Sequence, residues 1–170
     1  MSILHPIVAV TGSSGAGTSS VKLAFERIFQ HEGITPAIIE GDSFHRYNRK
    51  EMEWEVEKGS LQGRTLTHFG PEGNLFEELA TLFQGFSTSG SGRRRYYVHT
   101  EDEAELHGTP PGTFTDWEPL PENCDFLFYE GLHGALVTEA VDFTKYVDLL
   151  VGVVPIINLE WMQKIHRDHS

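Results

Sequence analysis

The sequence predicts an α/β fold with a mostly parallel central sheet covered by helices, and three features predict it. Two short apolar runs, residues 7–11 and 36–40, flank an amphipathic stretch that closes at Gly33, which reads as a strand–helix–strand unit. Two later runs, residues 126–129 and 149–154, are continuously apolar rather than alternating, the pattern of strands buried on both faces. Between the first strand and the first helix stands Gly12-Ser13-Ser14-Gly15-Ala16-Gly17-Thr18-Ser19, a turn with the spacing of a phosphate-binding loop.

Taken in order, the first helix carries Val21, Phe25, Ile28 and Phe29 on one face and stops at Gly33. The second strand ends two residues before Asp42. Residues 45–58 mix bases, acids and aromatics and become helical from Arg49. Gly70 to Gly73 is a turn, and Leu75, Leu79, Leu82 and Phe83 mark another amphipathic helix. Residues 85–92, rich in Ser and Gly and followed by Arg93-Arg94-Arg95, read as a flexible loop or hairpin arm. Tyr96-Tyr97-Val98 reads as an edge strand and residues 101–105 as a solvated acidic stretch. Pro155 ends the last strand. Asn158 is then a candidate N-cap for a terminal helix with Leu159, Met162 and Ile165 on one face.

Composition narrows the partners. The 170 residues suit about one domain, residues 1–170, and 39% apolar content is compatible with a substantial core. A net charge of −12 argues against nucleic acid or an anionic membrane as partner, because clustered Lys and Arg hold those ligands. The apolar runs are short and the N-terminus has no leader pattern, so neither a membrane span nor secretion is expected and the location expected is cytoplasmic. A single cysteine, Cys124, cannot form an internal disulfide.

In the loop, glycines at the first and sixth positions let the backbone wrap a polyphosphate, with loop and helix N–H groups as donors. Ser19 occupies the position of a Mg²⁺-binding hydroxyl. Thr18 stands where the motif has lysine, so a cation must come from elsewhere. Glu130, after a buried strand, suits a Mg²⁺ ligand opposite Ser19. Asp42 suits a general base for an attacking hydroxyl; an N-cap or turn role is the plainer alternative, and His45, Arg46 and Arg49 nearby weigh toward an anionic acceptor. His45 and Arg49, four residues apart, would share a helix face if one helix held both. Lys164 and Asp168 also lie one turn apart. They form either a weak surface pair or a site in which Lys164 supplies the missing charge and Arg167 reaches a substrate phosphate.

Together with Glu40-Gly41-Asp42-Ser43-Phe44-His45-Arg46, Phe114-Thr115-Asp116-Trp117, Tyr129-Glu130-Gly131-Leu132-His133-Gly134 and residues 158–168, the loop closely resembles the phosphoribulokinases of proteobacterial type, Thr18 included. The resemblance implies a three-layer phosphate-loop kinase fold and ATP-dependent, Mg²⁺-dependent phosphorylation of D-ribulose 5-phosphate to ribulose 1,5-bisphosphate in the Calvin cycle. It implies nucleotide binding by Gly12, Ser13, Ser14, Gly15, Ala16, Gly17, Thr18, Ser19 and Ser20, and metal binding by Ser19 and Glu130. Asp42, Lys164 and Asp168 fall on catalytic positions, His45, Arg49 and Arg167 on substrate-binding ones, and His99 near a position of effector response. It further implies a homo-oligomer responsive to NADH and AMP. Members of that family continue well beyond the Arg-Asp of residues 167–168, so an incomplete sheet and lid are expected here. A uridine-kinase-type enzyme or a non-catalytic nucleotide or sugar-phosphate sensor are the alternatives; the former ordinarily has lysine at position 18.

Overall fold

The computed structural model describes residues 4–13 and 15–168, with the side chains of Leu159, Glu160, Gln163, Arg167 and Asp168 outside the description. Four parallel strands form its centre: β1 (Ile7–Gly12), β2 (Pro36–Glu40), β5 (Phe126–Gly131) and β6 (Leu149–Val153), in the order β2-β5-β1-β6. A second, antiparallel pair joins β3 (Arg93–Arg94) to β4 (Glu118–Pro119). The helices are α1 (Thr18–Glu32), α2 (Arg49–Leu61), α3 (Phe76–Ser89), α4 (Glu101–His107) and α5 (Ile157–Asp168). No helix of the described residues is long and apolar enough to cross a membrane.

Alternation along the strands sorts the core into two layers. Val10, Phe126 and Phe128 point to one face, where Val21, Phe25 and Phe29 of α1 cover them. The Phe25, Phe29, Phe126 and Phe128 rings meet there, Phe29 edge-on to Phe126 with centroids 5.0 Å apart. Ile7, Ala9, Ala37, Ile39, Leu127 and Tyr129 point to the other face against Leu79, Leu82, Phe83 and Phe86 of α3. Burying each of the Val, Leu, Ile and Phe side chains among them is worth about 1.5–3 kcal/mol, so the sheet is held from both sides and its carboxyl edge is left for chemistry. Gly33 closes α1 at φ 67°, as its place in the sequence suggests.

Several expectations are corrected. Ile28 is 53% exposed, so the inward stripe of α1 is narrower than its apolar residues imply. Residues 85–89 are not a loop but the last turn of α3. The hydroxyls of Ser87, Thr88 and Ser89 donate to the carbonyls of Gln84 and Gly85, and Gly90 caps the helix at φ 67°. The strand expected at residues 96–98 is a Tyr97–Phe114 bridge flanked by backbone bonds from Val98 N–H to the Thr113 carbonyl and from Thr115 N–H to the Tyr96 carbonyl, while the regular ladder of this arm is β3 with β4. The acidic stretch is solvated, as expected, and is helical as well: α4, whose first-turn carboxylates suit its N-terminus and whose N-cap is Thr100. Asn158 is not a cap, because α5 already starts at Ile157. β6 is not covered on both faces: it is one of the sheet's two edge strands, with Leu149 51% and Leu150 45% exposed.

Candidate active site

Three of the four parallel strands, β1, β2 and β5, end at one open cleft of about 820 Å³. β1 delivers the glycine-rich loop. A Cβ at Gly12 would lie 2.8 Å from the Val153 carbonyl oxygen and 2.9 Å from Thr18 Cγ2, so only glycine lets the strand turn this tightly beside β6. Gly17 is the N-cap of α1 at φ 95°, and no side chain caps the helix there. The uncapped N-terminus opens on the cleft, which is what a polyphosphate needs. Gly12, Ser13, Gly15, Gly17, Thr18, Ser19 and Ser20 line the cleft; Ala16 is buried behind them, its N–H donating to the Ser13 carbonyl at 2.9 Å. Ser14 lies outside the described residues.

β5 delivers Glu130, inside the strand rather than beyond its end. Thr18 is hydrogen-bonded to the Glu130 carboxylate. Burial raises that carboxyl's pKa, with the Thr18 bond and the nearby Lys22 charge pulling the other way. Thr18 therefore has a contact of its own, which its reading as a missing lysine did not reveal. Ser19 and Glu130 both line the cleft and offer a hydroxyl and a carboxylate, hard oxygen donors of the kind Mg²⁺ takes together with phosphate oxygens and water.

β2 delivers Asp42 on a short 3₁₀ turn, Gly41–Phe44. The carboxylate is 54% exposed into the cleft, 3.7 Å from His45 Nε2 and 3.5 Å from His99 Nε2. His68 packs on His45 with centroids 5.0 Å apart, and the nearly buried His133 sets Nε2 3.2 Å from the Phe69 carbonyl. The turn is pinned from behind. Arg95 donates from Nε to the Ser43 carbonyl (2.8 Å) and from Nη2 to that of His45 (2.7 Å), its guanidinium over the Phe114 and Trp117 rings at 3.7 and 4.8 Å. Arg46 reaches the Asn74 carbonyl at 3.0 Å.

Burial lowers the pKa of both His45 and His133 below the ordinary 6.5, Asp42 opposing the shift in each case. The unfolded chain then binds protons at these positions that the folded chain refuses. Their contribution to stability is complete above pH 6.5 and is lost as pH falls through and below that value. Thermal melting is expected to show a lower Tm at pH 6 than at pH 7.5; a Tm that rises over this interval contradicts the assignment.

Of the residues singled out from sequence, the cleft brings together the loop, Asp42, His45, His99, Glu130 and Lys164. Arg49 is the exception. It does not share a helix with His45, because His45 closes the 3₁₀ turn and α2 begins at Arg49 behind its Asn48 cap. The Arg49 side chain is exposed, packs beside Gly112 and does not line the cleft. The side chains of Arg167 and Asp168 lie outside the described residues. Sequence reasoning missed Lys22, Glu40, His68 and His133. Lys22 was open to detection, one turn beyond Thr18 on the sheet-facing side of α1; His68 reaches the cleft only through tertiary packing.

A glycine-rich loop between a central parallel strand and a helix, with an acidic residue on the neighbouring strand, defines the class of phosphate-loop nucleotide-binding proteins. Within that class the chain belongs to the Phosphoribulokinase / Uridine kinase family, whose model matches residues 7–170. It is 58% identical over 167 residues to a phosphoribulokinase of Nitrobacter vulgaris, covering 98% of this chain and 58% of the relative. It is 54% identical over 169 residues to the chromosomal phosphoribulokinase of Cupriavidus necator, covering 99% and 58%. Among solved structures, the phosphoribulokinase from Rhodobacter spheroides matches with a TM-score of 0.85 and 47% identity, over 97% of this chain and 56% of that one. The chain thus spans a little under three fifths of these relatives.

Proposed function

We propose that the polypeptide to which residues 1–170 contribute the phosphate-loop kinase domain transfers the γ-phosphoryl group of ATP to the 1-hydroxyl of D-ribulose 5-phosphate, giving ribulose 1,5-bisphosphate for the Calvin cycle. The observation that carries this reading is the placement of Asp42. Its carboxylate stands at the carboxyl end of β2, in the same cleft as the loop, with two imidazoles beside it.

In this mechanism the loop and the N-terminus of α1 would hold the triphosphate, and Ser19 and Glu130 would hold Mg²⁺. The metal, when bound, offsets charge on the phosphate oxygens. Asp42 orients the acceptor hydroxyl and takes its proton as the new O–P bond forms and the bond to ADP breaks. His45 donates to the acceptor's anionic end. Lys164, exposed on the cleft wall, supplies the cation absent from position 18, where charge shifts in the transition state. The family resemblance assigns Asp168, which follows Lys164 on α5, to the reacting groups and Arg167 to the acceptor's phosphate. The same reading carries a cytoplasmic location, a homo-oligomer and a response to NADH and AMP.

The test compares acceptors in a chain extended to the relatives' length, with ADP release as readout. Ribulose 5-phosphate is expected to be turned over far faster than uridine. The reverse preference supports the uridine-kinase reading, and ATP binding without turnover of either acceptor supports a sensor.

A further inference from the structure

Lys22 and Glu40 line the cleft, yet the transfer chemistry uses neither. Their placement follows from how α1 crosses the sheet. Glu40 of β2 and Glu130 of β5 are direct partners in the parallel register, so both carboxylates leave the sheet on the same face and at the same level. That face is the one α1 covers, since Val10, Phe126 and Phe128 on it meet Phe25 and Phe29. Thr18 and Lys22 lie one turn apart on α1. The first bonds Glu130 and the second bonds Glu40, so successive turns of one helix supply a donor to each carboxylate.

The two donors differ in charge. Thr18 is neutral, so it gives Glu130 a hydrogen bond and no compensating charge. Lys22 is largely buried, with Glu26 a further 4.0 Å from its ammonium. Burial alone would lower the lysine's pKa, but the bond to Glu40 and the surrounding carboxylates of Glu40, Glu26 and Glu130 outweigh it and raise it. The ammonium is thus fixed in its charged form against Glu40. Without it, two uncompensated carboxylates would stand on adjacent strands, about 4.8 Å apart, under a loop built to receive a polyanion.

We propose that Lys22 is a positioning residue of the nucleotide site: by holding Glu40 in an ion pair, it leaves Glu130 as the carboxylate of this strand pair that faces the phosphates without an ion-pair partner. The inference rests on the reading of the loop as an ATP site. It assigns Lys22 a role distinct from that of Lys164, because the Lys22 ammonium is committed to Glu40 and acts through it.

The experiment is equilibrium binding of ATP to the 170-residue chain, with a fluorescent ATP analogue as probe and ATP as competitor, with and without Mg²⁺. Lys22→Met is expected to weaken binding about tenfold, more for metal-free ATP than for Mg·ATP because the repulsion scales with ligand charge. Glu40→Gln is expected to bind within about twofold of the unaltered chain. The decisive variant is Lys22→Met/Glu40→Gln, which removes both charges and restores binding to within about threefold. Unchanged binding in Lys22→Met overturns the proposal. So does a double variant as weak as Lys22→Met, which would mean that the lysine contacts phosphate directly or only supports the fold. Thermal melts on each variant separate loss of fold from loss of affinity, and the charge-free double variant carries the test even if Lys22→Met alone unfolds. An unaltered chain that binds no ATP would instead fail the nucleotide-site reading itself, and the proposal with it.

Discussion

Asp42→Asn is expected to lower the rate of phosphoryl transfer by about 10²–10⁴-fold, the range of a positioned general base, while leaving ATP affinity within about twofold. The asparagine keeps the size and one carbonyl oxygen of the aspartate but cannot accept the acceptor hydroxyl's proton. Its neighbours sharpen the expectation. His45 and His99 stand 3.7 and 3.5 Å from the carboxylate, so the substitution removes the only carboxylate of the 3₁₀ turn and leaves the imidazoles that flank it. The loss should therefore fall on kcat, with the KM for ribulose 5-phosphate changing much less. Steady-state kinetics in a chain of the relatives' length checks this; turnover within about threefold of the unaltered enzyme would remove Asp42 from the reaction.

Arg95→Ala is expected to cost about 2–4 kcal/mol of stability and, with it, much of the activity. The guanidinium makes two charge-assisted bonds to the carbonyls on either side of Phe44 and stacks on two aromatic rings. Such bonds are worth about 1.5–3 kcal/mol each when intact, and truncation leaves the two carbonyls to find other donors. For a chain of this size the loss corresponds to a fall of about 5–15 °C in Tm. Arg95→Lys keeps the charge but cannot span both carbonyls, so it should recover only part of the Tm. Because the arginine grips the turn that carries Asp42, kcat should fall further than ATP affinity. A variant with unaltered Tm and kcat would show that the turn holds its shape by itself.

What could be read beforehand was local. The four parallel strands, the glycine stop of α1 and the start of α2 follow from patterns spanning a few residues, and they stand where those patterns put them. The phosphate loop was legible for the same reason. What escaped depends on contacts between distant segments. The exposure of β6 is a property of its place at the edge of the sheet, which its run of Leu and Val does not encode. The last turn of α3 is rich in Ser, Thr and Gly, residues of low helix propensity, and packing of Phe83 and Phe86 overrides them. Arg95 read as part of a basic arm because its partners, Ser43 and His45, lie about fifty positions away. The Glu40–Glu130 pairing appears only once β2 and β5 are known to be neighbours.

Gly41, just past β2, and Gly131, the last residue of β5, lie against each other. A Cβ at Gly41 would lie 2.6 Å from the Tyr129 hydroxyl and 3.1 Å from Gly131 Cα, and one at Gly131 would lie 2.9 Å from Gly41 Cα. The backbones that carry Asp42 and Glu130 therefore touch directly, with a buried tyrosine ring as their floor. For a lineage of such chains this is a ratchet on drift: no side chain larger than hydrogen can enter at either glycine unless the opposite strand retreats, and retreat would part the carboxylate assigned to the proton from the carboxylate assigned to the metal. Whatever stands on the outer faces of the two segments, this backbone contact sets the gap between the two acidic groups.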